Sequence, residues 1–144
     1  MKGGIDMTQE EKELLLKDLC ARLPYGVKFA CNKNIYTATG LELIVTDEGN
    51  WEYAITEKNI APIEINYIKP YLFPLSSMTE EQRVEYQLLM DCVSTYDYDY
   101  GALIEEIKLC DNWRSIDYLN TYHFDYRGLI EKGLAIDATG LNIY

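Results

Sequence analysis

The feature that most narrows the fold is a change of hydrophobic period at Val27. Before it, Leu15, Leu16, Leu19 and Leu23 recur at helical spacing. After it, apolar and polar side chains alternate one by one, as in Trp51, Tyr53 and Ile55 against Glu52, Ala54 and Thr56. Thr8 followed by Glu11 is a capping box, so a helix is predicted over 9–22, with Pro24 and Gly26 to end it. Polar clusters at Asn32-Lys33-Asn34, Asp47-Glu48-Gly49-Asn50 and Glu57-Lys58-Asn59 cut the alternating stretch, 27–68, into a four-stranded antiparallel meander. Trp51, Tyr53 and Ile55, and then Ile63, Ile65 and Tyr67, are expected on the core face. Gly40 interrupts the longest run and predicts a bulge or sharp bend that curls the sheet towards a half-barrel.

Two prolines in Lys69-Pro70-Tyr71-Leu72-Phe73-Pro74-Leu75 predict an extended connector lying on the core. Thr79 with Gln82 forms a second capping box, opening a helix to about Thr95 whose buried side is read as Val84, Tyr86, Leu88, Leu89, Met90 and Val93. Short helices follow through Leu103, Ile104 and Ile107, and through Trp113, Ile116 and Leu119. A last one is expected to be capped by Asp125, to run through Leu129 and Ile130 and to stop at a left-handed Gly133, ahead of a strand-like Leu134-Ala135-Ile136. The fold class is therefore α+β: an N-terminal helix, a curled four-stranded meander and a C-terminal cluster of three to four helices over 79–133. With no linker or low-complexity segment, 1–144 is read as one domain.

At 144 residues and 48% apolar content, such a domain buries roughly 68–70% of its unfolded surface and needs no metal or disulfide staple. A net charge of −11 argues against binding a phosphate backbone, where affinity comes from Lys and Arg displacing counterions, and in favour of a basic partner. Cys20, Cys31, Cys92 and Cys110 contain no C-x-x-C pair, so they are read as reduced and mostly buried. No apolar run is long enough for a signal core or a membrane span, so a cytoplasmic protein is expected.

Between Thr79 and Cys110 lie eight Asp/Glu against Arg83 and Lys108. Within this stretch Tyr96, Asp97, Tyr98, Asp99 and Tyr100 form an acidic, aromatic loop, the first candidate contact surface for a protein with a basic face. The loop is not a calcium site: with Asp97 as position one, Gly101 falls at five instead of six and Lys108 stands where the bidentate Glu belongs. The second candidate is a cleft at His123 and Asp125, where a carboxylate orienting the single histidine would suit a small enzyme or ligand-binding domain. A third reading is nucleic-acid binding, because Arg127 to Ile136 looks superficially like a helix-to-wing passage, yet Asp111 to Tyr144 carries three basic residues against five acidic. No motif implies a cofactor or a metal, and no catalytic residue is assigned.

Three blocks carry a resemblance: Leu16-Lys17-Asp18-Leu19-Cys20-Ala21-Arg22-Leu23-Pro24-Tyr25-Gly26-Val27, then Ile68 to Glu81, then Tyr122-His123-Phe124-Asp125-Tyr126-Arg127-Gly128-Leu129-Ile130-Glu131-Lys132-Gly133-Leu134-Ala135. Together they resemble a family of small uncharacterised proteins from Bacteroides and their phages or prophages, with Phe73 where that pattern carries a basic residue. The resemblance implies a bacterial mobile-element setting and brings no activity or cofactor. The resulting expectation is an acidic, non-enzymatic accessory protein that binds a host or phage protein.

Overall fold

The computed structural model describes residues 7–58, 60–89 and 113–144, and mixes helix and sheet. Helix α1, Gln9–Arg22, starts on the anticipated capping box: the Thr8 hydroxyl accepts from Glu11 N–H at 3.1 Å and the Glu11 carboxylate accepts from Thr8 N–H at 3.0 Å. Pro24 then tightens a short 3₁₀ turn, and Gly26, at φ 69°, closes it in the left-handed region. The inward face of α1 reads Leu15, Asp18, Leu19 and Arg22, all fully buried. The two leucines contribute about 1.5–3 kcal/mol each through burial; the two charges need partners, described below.

The alternating region forms five strands rather than four, divided between two sheets. Strands β1 (Lys28–Cys31) and β2 (Asn34–Thr37) pair around Asn32 and Lys33, both at positive φ, as a two-residue hairpin turn requires. Strands β3 (Gly40–Val45), β4 (Trp51–Glu57) and β5 (Ile60–Glu64) make a separate three-stranded antiparallel sheet in that order. The division falls at Ala38-Thr39, immediately before Gly40, where the expected bend is. A Cβ on Gly40 would stand 2.7 Å from Thr56 Oγ1, so a side chain here would meet the neighbouring strand. After β5 the alternation at Ile65-Asn66-Tyr67 belongs to a 3₁₀ turn, not to a strand.

The proline-bearing segment is the largest departure from expectation: Lys69–Pro74 is a strand, β6, inside the other sheet. Proline normally excludes a central strand because it lacks the N–H that a ladder uses. Here three short partners take two residues each, so no long ladder is needed. Strand β1 pairs antiparallel at Lys69 and Pro70, while β8 (Ile136–Asp137) and β7 (Phe124–Asp125) pair parallel at Tyr71-Leu72 and at Phe73-Pro74. The main core lies between α1 and this sheet, around Leu15, Leu19, Phe29, Ile68, Leu72 and Leu129.

Helix α2, Glu80–Leu89, opens on the predicted Thr79–Gln82 box, and α3, Trp113–Thr121, packs beside it. Tyr86 and Leu89 of α2 join Tyr118, Leu119 and Phe124 in a second core. Val84 and Leu88, expected inside, are exposed, because two residues' offset on a helix is about 200°, the face opposite Tyr86. The predicted helix through Leu129 and Ile130 is a single turn. Gly128, at φ 74°, interrupts its start, and a Schellman pair, Leu134 N–H to Leu129 C=O at 2.9 Å and Gly133 N–H to Ile130 C=O at 3.1 Å, ends it. The helix-to-wing reading therefore loses its helix. The expected helix through Leu103 to Ile107 lies outside the described residues, and among those described no helix is long and apolar enough to cross a membrane.

Candidate functional site

Among the described residues, three places break the ordinary rule of apolar inside and polar outside. The first is a buried charged junction. Arg22 and Asp18, one helical turn apart and fully buried, bond through Nε and Oδ2 at 2.8 Å. The other oxygen of Asp18 takes Arg127 Nη1 at 2.8 Å, and Arg22 Nη2 donates to the Phe124 carbonyl at 2.6 Å. The Tyr126 ring lies under both guanidiniums, at 5.1 and 4.6 Å, and its hydroxyl pairs with Asn120 Oδ1 at 2.9 Å. One carboxylate thus serves two arginines, which ties α1 to the segment after β7. Charges removed from water persist only when hydrogen-bonded in this way.

The second is the surroundings of His123. Its backbone sits at φ 62°, with its N–H donating to Asn120 C=O at 3.2 Å and its carbonyl accepting Phe73 N–H at 2.8 Å. These bonds hold a residue without glycine's freedom in the left-handed region. The buried ring stacks on Tyr144 at 3.6 Å and 12°, and Tyr144 is itself anchored by its hydroxyl to Tyr71 C=O and Lys28 N–H. Burial first, then the charges of Arg22 and Lys28, push the imidazole down to about 4, so the ring is neutral at pH 7. Its Nδ1 has no hydrogen-bond partner among the described residues. A pocket of about 370 Å³ opens beside it, walled by the rings of Phe73, Tyr122, Phe124 and Tyr144. Ser77, Gln82, Thr121 and Thr139 supply neutral polar groups, and among the described residues no Asp, Glu, Lys or Arg lines it.

Asp125 does not join that pocket. Its two oxygens accept the N–H groups of Leu129 and Ile130, each at 2.9 Å, so it caps the single turn and does not orient the histidine. The acidic loop, Tyr96, Asp97, Tyr98, Asp99 and Tyr100, lies outside the described residues. Among those described, no three His, Cys, Asp or Glu cluster as metal ligands. Cys31 is buried as expected, with its thiol pushed up by desolvation, whereas Cys20 is exposed.

The third place is the β3–β4 hairpin. Register pairs Leu43 with Tyr53 and Val45 with Trp51, which puts all four on one face. The next pair inward, Leu41 with Ile55, continues the stripe to Ile63 and the core. The outer four are instead exposed, at 51% for Leu43, 53% for Val45, 67% for Trp51 and 42% for Tyr53. Trp51 and Tyr53 were expected in the core; the described core covers this face at the Leu41–Ile55 pair and not beyond it. The tip is held by Thr46 N–H to Asn50 C=O and Gly49 N–H to Thr46 C=O, both 2.8 Å. From Gly40 to Glu57 the hairpin carries Glu42, Asp47, Glu48, Glu52 and Glu57 and no Lys or Arg. Only one described cation reaches it: Lys12 bridges Glu52 at 3.0 Å.

Sequence reading missed the buried junction and this patch. An opposite-charge pair four apart on the leucine face of α1 was the available signal for the first. The second carried none, since its alternation is the same as that of a covered strand. Comparison with protein-family profiles, with curated proteins and with solved structures finds no match.

Proposed function

We propose that this chain is a non-catalytic protein-binding module whose contact surface is the apolar face of the β3–β4 hairpin and whose partner presents an apolar patch rimmed by Lys and Arg. The carrying observation is the contiguous exposed set Leu43, Val45, Trp51 and Tyr53. Large side chains exposed singly are ordinary, but four packed side by side and rimmed by polar residues mark an interaction site. Two of them, Trp and Tyr, belong to the types that dominate binding energy. The five carboxylates on the same hairpin supply the complementary charge. An acidic accessory protein of a phage or prophage, the setting that the resemblance implies, fits this reading.

The test is affinity purification from a nuclease-treated Bacteroides lysate, at low and high salt, with the unmodified protein and with Trp51→Ser and Tyr53→Ser. A stoichiometric partner held by the unmodified protein, lost from both variants and weakened at high salt is the expected result. A partner retained by the variants sinks the reading.

A second reading is favoured by the His123 pocket. Its volume is within the range of small-molecule sites, and its uncharged lining of rings, hydroxyls and an amide suits an uncharged aromatic ligand. Saturation-transfer NMR with uncharged nucleosides and with their monophosphates decides it: transfer from the nucleosides that Thr139→Val reduces supports the pocket, and silence from both sets removes it.

A further inference from the structure

We propose that the outer edge of β3 accepts an extended segment of the partner as an added strand, one whose residues alternate between apolar and Lys or Arg. This rests on the hairpin reading above and names how the partner is held.

Sheet edges are ordinarily protected, because a row of unpaired backbone groups invites another chain. The other long-sheet edges of this molecule show such protection. Strand β5, the opposite edge of the same sheet, carries Pro62 in its middle, and the register of its ladder with β4 shifts between Ile55 and Glu57. Strand β2 is only four residues long, with Lys33 in the turn before it. Strand β3 has six residues, no Pro, no Lys and an unbroken register from Gly40 to Val45, and no described strand lies on its outer side.

The orientation of its peptide groups follows from the ladder. Thr46 N–H donates to Asn50 C=O, in register with Ile44 opposite Glu52 and Glu42 opposite Ala54. Antiparallel ladders alternate bonded and non-bonded pairs, so Glu42 and Ile44 turn their backbone groups to β4, and Leu41, Leu43 and Val45 turn theirs outward. An added strand bonding to these groups sets its side chains in the same alternation. Those beside Leu43 and Val45 extend the apolar face across Trp51 and Tyr53. Those beside Glu42 lie on the opposite face, where a cation is the fitting neighbour, with Asp47 and Glu48 at the tip adding to that field. The same charge disfavours a second copy of this chain, since two such edges bring carboxylate-bearing hairpins together with no cation of their own.

The experiment uses the full chain and three synthetic peptides of about eight residues: Val alternating with Lys, the same residues in two separate blocks, and Val alternating with Glu. Hydrogen exchange is followed residue by residue. The alternating Val/Lys peptide is expected to slow exchange of the Leu41, Leu43 and Val45 amides by about tenfold or more. Glu42 and Ile44, already bonded to β4, stay unchanged, and the other two peptides have little effect. Leu43→Lys, which keeps the hairpin but places a cation on the edge, is expected to abolish the protection. Equal protection by the block peptide, or no protection by the alternating one, overturns the added strand. If the lysate partner is lost from Trp51→Ser but leaves these amides unprotected, the face docks partners and the edge does not; if it survives Trp51→Ser, both readings fall.

Discussion

The junction at Asp18 and Arg22 and the hairpin at Leu43 to Tyr53 are opposite departures from the same rule. One hides charge and the other exposes apolar surface. In the junction the charged side chains are tied into a network, although Arg22 Nη1 has no hydrogen-bond partner among the described residues: Asp18 holds two guanidiniums, Tyr126 lies beneath both, and Asp125 caps two amides. On the hairpin nothing among the described residues compensates the exposed rings. A departure that the fold itself satisfies belongs to stability. One that it leaves open is, on the proposed function, the surface available for binding.

Four measurements break or sharpen that contrast. The largest effect is expected from Asp18→Ala, which strands two arginines, one of them fully buried. Urea unfolding should show a loss of ~3–5 kcal/mol, and Asp18→Leu combined with Arg22→Met should cost less than the single change. A double variant costing as much as the single one would mean that the pair acts through something other than uncompensated charge.

Next is pH. His123 has a native value of about 4 against an ordinary 6.5, so between these the unfolded chain binds a proton that the native one refuses. Its contribution is complete above pH 6.5 and is lost progressively as pH falls to 4, on the order of 3 kcal/mol. The difference in stability between the unmodified protein and His123→Phe, tracked over this window, isolates it from the carboxylates. A constant difference would refute a neutral buried imidazole.

Asp125→Ala removes both caps of the turn and should cost ~1–3 kcal/mol by the same unfolding assay, if its role is structural. The smallest effect belongs to the hairpin. Trp51→Ser should change stability by no more than ~0.5 kcal/mol while lowering partner affinity at least about tenfold. A large stability loss there would place Trp51 with the junction instead.

Local signals were read well where the chemistry is local. Both capping boxes, the turn at Asn32-Lys33 and the left-handed stop at Gly133 stand where the residues predict, since each is a bond or dihedral spanning a few neighbours, whereas the bend expected at Gly40 is a break between two strands of separate sheets. The segment with Pro70 and Pro74 is extended and lies on the core as read, but its place in a sheet was missed because that depends on partners distant in the chain, β1, β7 and β8, none of which leaves a mark on the segment itself. Of the candidate site, His123 could be singled out as an aromatic-flanked histidine. Asp125 was read both as the cap of the turn through Leu129 and Ile130, which it is, and as a partner of His123, which it is not: residues two apart share a face only in extended backbone, and His123, at φ 62°, leaves that path.

By itself, then, the sequence determined both ends of α1, the start of α2, several of the turns, the alternating region and the acidic net charge. Only the tertiary structure decided which alternating residues are covered. Alternation marks a face but not what lies over it, and the described core covers this stripe at the hairpin's base and not at its outer half. The same reason leaves Ile55 in the core, Leu41 packed against it, and Val45 and Trp51, on the same stripe, exposed.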